Sequence, residues 1–270
     1  MTVFRKVFAS ALMAVSLLAV SVQMVGCAGQ SRGGNRDLPT QSDETEVRKR
    51  ARIRMELATT YYAQGQFTTA LDELKQAEAI DPSMPAAAEL RGLIYDAMGE
   101  KKLADAAFKR ALRLNDKDGS VLHNYAWFLC RDGQYAAADA MFERAIALPP
   151  TIATPKSMLA RGVCQMNAGL LPEAEKALLK SYEFDPSNPA TAYNLALVQY
   201  RRGELDRARF YIKRVNAIPT QVTAASLWLA IRIEHRLGNQ GAQDELAEQL
   251  RSKFVGSPEA SALELGRFDE

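Results

Sequence analysis

The chain has 270 residues, 47% hydrophobic and 24% charged, enough for one or two domains with a real core. Its formal charge of +2 gives no large one-signed field for nucleic acid or membrane, and abundant alanine with few β-branched runs favours helices over strands. The first element in chain order is a leader: Arg5 and Lys6 precede an apolar run from Val7 to Val25, the layout of a secretory signal. Residues 28–46, AGQSRGGNRDLPTQSDETE, hold almost no large apolar side chain and read as a flexible tether. The run from Val47 to Arg54 is basic. On a first helix it is either a solvated face or a contact for anionic lipid or nucleic acid.

The leader ends in Met24-Val25-Gly26-Cys27, which resembles the bacterial lipobox, with Met24 in place of the usual leucine. The resemblance implies cleavage before Cys27, so that residues 1–26 are a signal peptide and the Cys27 thiol carries a diacylglycerol. Each buried CH₂ of an acyl chain adds about 0.8 kcal/mol, and several chains together anchor stably. Residues 27–50 are then the lipidated cysteine and its tether. In lipoproteins an Asp after the cysteine favours retention at the inner membrane. Ala28 stands there, which implies the periplasmic face of the outer membrane.

From Ala51 onward the chain repeats. Glycines recur at Gly65, Gly99, Gly133, Gly169, Gly203 and Gly238, spaced 34, 34, 36, 34 and 35 apart. Seven residues before each of the first five stands a small residue: Ala58, Gly92, Ala126, Gly162 and Ala196. Five residues after stands an alanine: Ala70, Ala104, Ala138, Ala174 and Ala208. Pro82, Pro150 and Pro186 follow near repeat ends, and Phe67, Phe108, Tyr135 and Phe142 occupy large positions. This pattern resembles the tetratricopeptide repeat (TPR). Small residues let two antiparallel helices cross closely, and large ones fill the space between repeats. The expected fold is all-α, a right-handed superhelical solenoid of about six TPR repeats over residues 51–256. The sixth repeat lacks the alanine and reads as a cap, and residues 257–270 read as a tail or a last short helix.

The first helix of each repeat lines the inner surface of such a solenoid. The register assigns to it Met55, Thr59 and Tyr62; Glu89, Leu93 and Asp96; His123, Trp127 and Cys130; Lys156, Leu159, Val163 and Met166; and Tyr193, Leu197 and Tyr200. This set is apolar for a solvated face, which predicts a groove for an extended peptide or amphipathic helix. Asn124 and Asn194 share one repeat position, suited either to a ligand's backbone or to a bond between helices. The two-cation carboxylate clamp of chaperone-binding TPRs is not matched, since only Lys156 sits suitably.

Cys130 and Cys164 fall on first helices of adjacent repeats. Secretion would place them in an oxidising compartment, where they are either bridged or a pair of buried thiols. Enzyme chemistry finds no support. His123 and His235 are far apart without a metal set, and no P-loop, GxSxG or HExxH occurs. No cofactor beyond the lipid on Cys27 is expected, and no metal, nucleic acid or small-molecule substrate.

The segments HNYAWFLCRDGQYAAADAMFERAIALPP, RGVCQMNAGLLPEAEKALLKSYEFDPSNP and AYNLALVQYRRGELDRARFYIKRVN resemble the PilF/PilW family of type IV pilus lipoproteins. The resemblance rests on Asn-Tyr-x-x-Phe-Leu-Cys, on a second cysteine one repeat later and on Tyr-Asn-Leu-Ala. It implies a pilotin or pilus-stability role: binding subunits of the secretin, the outer-membrane pore, and promoting their localisation and assembly. It also implies a Cys130–Cys164 bridge, lipid on Cys27 and partner contact in the early repeats, for which Tyr62, Leu93 and Trp127 are candidates. Other pilus assembly proteins are possible partners. The alternative reading is a generic periplasmic TPR adaptor that recruits cell-wall enzymes or outer-membrane assembly factors.

Overall fold

The computed structural model describes residues 45–149 and 153–268. The signal peptide, Cys27, the tether through residue 44 and Pro150 lie outside the described residues. Those described form thirteen α-helices and no strand. The helices pair in chain order: α1 (Glu46–Ala63) with α2 (Phe67–Ile80), α3 (Pro85–Ala97) with α4 (Lys101–Leu114), and α5 (Gly119–Arg131) with α6 (Tyr135–Ala147). Next come α7 (Ala153–Asn167) with α8 (Leu171–Phe184), α9 (Pro189–Arg202) with α10 (Leu205–Asn216), and α11 (Ala224–Arg236) with α12 (Gln240–Lys253). A 3₁₀ turn at Pro219–Gln221 precedes α11, and α13 (Pro258–Glu264) closes the stack. This is an all-α TPR superhelix. No described helix is long and apolar enough to cross a membrane.

Each turn within a pair is made the same way. All six repeat glycines have φ between 68° and 80°, the left-handed region that costs other residues their Cβ clearance. At Gly133 the glycine N–H donates to the Cys130 carbonyl (3.1 Å), and Gln134 N–H donates to the Leu129 carbonyl (2.9 Å). That double bond satisfies carbonyls the helix end would otherwise strand. Three of the helix starts where the chain changes pair, those of α5, α9 and α11, are capped by side chains. The Asp118 carboxylate accepts from Ser120 and Val121 N–H (3.0 and 3.2 Å), and the Asn188 carbonyl accepts from Ala190 and Thr191 N–H at the same distances. Thr223 and Ser226 form a reciprocal capping box on α11.

The small positions are where the helices cross. Ala58, Ala70, Ala104, Ala126, Ala138, Ala174, Ala196 and Ala208 are all fully buried. At Gly92 a methyl would sit 3.0 Å from the Phe108 ring. At Gly162 it would sit 2.6 Å from Leu178 Cγ and 3.1 Å from the Ala174 carbonyl oxygen. Phe108 and Phe142, fully buried, fill the space those crossings leave. Tyr135 does not fill it: the ring is 37% exposed at the start of α6.

At the two ends of the stack the described helices run from Glu46 to Glu264. Helix α1 starts at Glu46, so the basic run is helical throughout. At the other end α13 buries Ala260 and Leu263 against α11 and α12, joining a core of Leu227, Trp228, Ile231, Ala247 and Leu250. The sixth repeat carries Ile231 where the others carry Ala or Gly, and that side chain is fully buried.

Candidate partner-binding groove

The first helices of repeats three, four and five bring part of the expected groove together. His123, Asn124 and Trp127 of α5, Lys156, Leu159, Ala160 and Val163 of α7, and Asn194 of α9 line one open pocket of about 360 Å³. Trp127, Leu159 and Val163 are half-buried and line the pocket, with Trp127 and Leu159 also packed on the core. The pocket is therefore apolar with one exposed ammonium, Lys156, at its rim.

Its walls are held by specific contacts. Cys130 and Cys164 are disulfide-bonded across α5 and α7, with Cα atoms 5.8 Å apart. Asn124 Nδ2 donates to Glu89 Oε1 of α3 (2.6 Å), and Ser120 Oγ donates to the same oxygen (2.6 Å). Asn124 is thus a bond between repeats, whereas Asn194 Nδ2 donates within its own helix to the Ala190 carbonyl (2.8 Å). The equal repeat position does not give equal partners, because α7 offers no acid where α3 offers Glu89.

His123 lines the pocket floor yet is only 8% exposed. Its Nδ1 lies 3.0 Å from Ser157 Oγ, and its ring stands edge-on to Phe142 at 5.9 Å. Burial, aided by the Lys156 charge, pushes the imidazole pKa down to about 4, so the ring is neutral at physiological pH. The pocket then carries the Lys156 charge and not a second one. Tyr193, half-buried beside α11, has its phenol pKa raised chiefly by burial and further by Glu259.

Several expected groove residues are instead core, and His123 is partly in this class. Cys130 is 3% exposed and occupied by its bridge. Met166 is 4% exposed and packs with Ala174, Leu178, Leu195 and Val198. Tyr200 is 6% exposed, with the guanidinium groups of Arg232 and Arg236 at 4.8 and 4.9 Å from its ring centre. The reason is rotational. Cys130, Met166 and Tyr200 stand three before their glycines, in the last turn of the helix, and face a neighbouring repeat, whereas Trp127 and Val163, six before theirs, face the pocket. Elsewhere, Met55 and Tyr62 pack on the core of repeats one and two, with Tyr62 against Phe67. Leu93 packs on the core of repeat three, and Leu197 and Tyr193 on that of repeat five. Thr59 is exposed and bonds its own helix at the Met55 carbonyl. None of these six lines the pocket at Trp127.

Sequence reasoning passed over the sixth repeat's row. Trp228, Arg232 and His235 stand ten, six and three residues before Gly238, as the groove rows do before their own glycines. Phe268 lies across them, stacked on His235 (4.1 Å) and Trp228 (5.6 Å), and its carbonyl accepts from Arg232 Nε (2.9 Å). The chain's own C-terminal segment occupies this end of the row. The shared spacing was the signal that could have found it. Among the described residues no group of three His, Cys, Asp or Glu side chains could hold a metal.

Comparison with known families matches residues 58–99 to the TPR repeat and residues 86–118, 107–140 and 126–189 to the tetratricopeptide repeat. The type IV pilus assembly protein PilF of Pseudomonas aeruginosa is 27% identical over 248 residues, 91% of this chain and 94% of that protein. The crystal structure of PilW, a widely conserved type IV pilus biogenesis factor, superposes with a TM-score of 0.74 at 28% identity. It covers 82% of this chain and 99% of that one. The chain is a TPR protein similar to PilF and PilW. A solved Pseudomonas aeruginosa PilF structure has the same fold, with a TM-score of 0.71 at 22% identity over 82% of this chain and 100% of that one. The likeness to PilF and PilW runs through the repeats that build the Trp127 pocket, in a fold that serves protein–protein contact.

Proposed function

We propose that this chain is an outer-membrane lipoprotein of type IV pilus biogenesis, a pilotin that captures secretin subunits in the groove at Trp127. One observation carries the reading: an apolar pocket built from three successive repeats, with its two main walls joined by the Cys130–Cys164 bridge. A preorganised pocket loses little on ordering when a partner side chain enters, so more of the buried apolar area appears as affinity. Burying one large side chain there contributes roughly 1.5–3 kcal/mol. The relatives' names supply the pilus context, and Met24-Val25-Gly26-Cys27 supplies the anchor. Lipid at Cys27 would hold the chain at the outer membrane while the tether lets the repeats search. Capture then raises the secretin's local concentration at the membrane, where multimers form.

The test is photo-crosslinking in cells from positions 127 and 159, followed by identification of the captured chain. Secretin is the expected adduct, and Trp127→Ala should lower both the adduct and the secretin multimers. Capture of cell-wall enzymes, with secretin multimers unchanged, would replace this reading with a general periplasmic adaptor. Changing Cys27 to Ala should leave helicity intact and shift the protein out of the outer-membrane fraction. Unchanged partition would remove the lipoprotein assignment.

A further inference from the structure

We infer that the N-terminal half of α1 is a second, electrostatic contact with an anionic lipid surface, separate from both the groove and the acyl anchor. Residues 46–54 carry five Arg or Lys against one Glu, whereas residues 55–270 carry 25 Lys or Arg against 28 Asp or Glu. The near-neutral mature chain is thus polarised, with its positive excess at the end where the tether joins. Arg48, Lys49 and Arg50 are all exposed. Arg52 and Arg54 are drawn onto the protein by Glu56 (2.7 Å) and by Glu73 of α2 (2.8 Å). Acids near the other three include Glu46, 3.9 Å from Lys49 Nζ, and Asp81, whose carboxylate Arg48 helps hold below its ordinary range after the two Ser83 hydrogen bonds.

The placement works against the helix itself. The first turns of a helix carry the positive end of its dipole, and cations there fail to offset it. Among the described residues no repeat precedes α1, and the residues it buries are Ala51 and Ala58. Ile53 and Leu57, 44% and 38% exposed, lie on the same open edge as Lys49 and Arg50. Cations flanking apolar side chains fit a headgroup layer, where the ammonium and guanidinium groups meet phosphate and the aliphatic groups meet the acyl boundary. The chain before α1 favours a membrane over other anions. From Ala28 to Thr45 are 18 residues, and a chain of that length reaches at most about 60–65 Å even when fully extended, which bounds how far α1 can stand from whatever holds Cys27. The occupant is therefore lipid. This inference shares its setting with the lipoprotein reading, but its test does not depend on acylation.

The experiment uses the chain from residue 28 onward, which holds the tether and the whole described unit without the leader or Cys27. Helical circular dichroism confirms that it is folded. Sedimentation with mixed phosphatidylglycerol–phosphatidylcholine vesicles at low salt should carry the protein down, and pure phosphatidylcholine vesicles should not. High salt should release it. Arg48→Glu/Lys49→Glu/Arg50→Glu should weaken binding on the order of tenfold or more. That variant places acids where the helix dipole favours them, so it keeps its fold. Lys176→Glu/Lys180→Glu/Lys213→Glu, with the same charge change on α8 and α10, should bind as the parent does. Equal sedimentation with both vesicle types, none with either, equal loss in both variants, or tighter binding to a mixed-sequence DNA duplex would each overturn the inference. Loss of acylation at Cys27 in cells would leave the vesicle result unchanged.

Discussion

A hydrogen-to-methyl change at position 162 tests the packing rule that the repeat pattern encodes. An alanine Cβ there would stand 2.6 Å from Leu178 Cγ and 3.1 Å from the backbone oxygen of Ala174. A helix-interior Gly→Ala gains up to about 1 kcal/mol of propensity, while overpacking costs about 1–3 kcal/mol. Backbone cannot move aside cheaply, so Gly162→Ala should destabilise by about 1–2 kcal/mol in urea unfolding. At Gly92 the neighbour is the flat Phe108 ring at 3.0 Å, which can tilt, so Gly92→Ala should come out near neutral. His123 gives a pH prediction. Its folded pKa of about 4 lies below the ordinary 6.5, so between those values the unfolded chain binds the extra proton. Stability from this group is full above pH 6.5 and is lost as pH falls toward 4, by about 3 kcal/mol. Comparing urea unfolding at neutral pH and near pH 4.5 should show that much less acid loss in His123→Gln than in the parent.

At the scale of elements, the six glycines, their small partners and the alanines five residues on all predicted their helices, because each satisfies a local demand. A left-handed turn needs no Cβ, and a close crossing needs little side chain. The groove register was legible only in part. Trp127, Leu159 and Val163 face the pocket, but Met166 and Tyr200 turn into the core, because a helix's last turn lies against the next repeat. Periodicity alone does not say which neighbour stands there. The covalent link between α5 and α7 makes the next prediction. The bridge spans 34 residues, for which loop-closure entropy gives roughly 3–4 kcal/mol of stabilisation. Cys130→Ser/Cys164→Ser should lose most of that in urea unfolding while keeping its helicity. Reductant should lower the parent's unfolding midpoint and leave the double variant's unchanged.

At the scale of the whole molecule, the stack ends in a cover rather than an open edge. Helix α13 and Phe268 shield Leu227, Trp228 and Ile231, and burying each contributes roughly 1.5–3 kcal/mol relative to leaving it in water. Ending the chain at Ser257 should therefore lower the thermal midpoint and produce dimers or aggregates, visible by light scattering during size-exclusion chromatography. A truncated chain that stays monomeric and equally stable would show that α13 contributes no cover. An open end of a repeat array is sticky for the same reason that repeats stack: neither can bury its apolar face alone.

By itself the sequence determined the helical repeat, its period, the turns and the small crossings, because those rest on the shape of one residue or of two neighbouring helices. It also supplied the basic run ahead of the repeats. Only the tertiary structure decided which side chains remain open to a partner. His123 sank to the floor of the pocket, Asn124 was taken up by Glu89, Tyr200 was enclosed by two arginines of the next repeat and Phe268 folded back over α11. Exposure is a property of everything that surrounds a side chain, and those surroundings come from residues about 35 positions away in the chain.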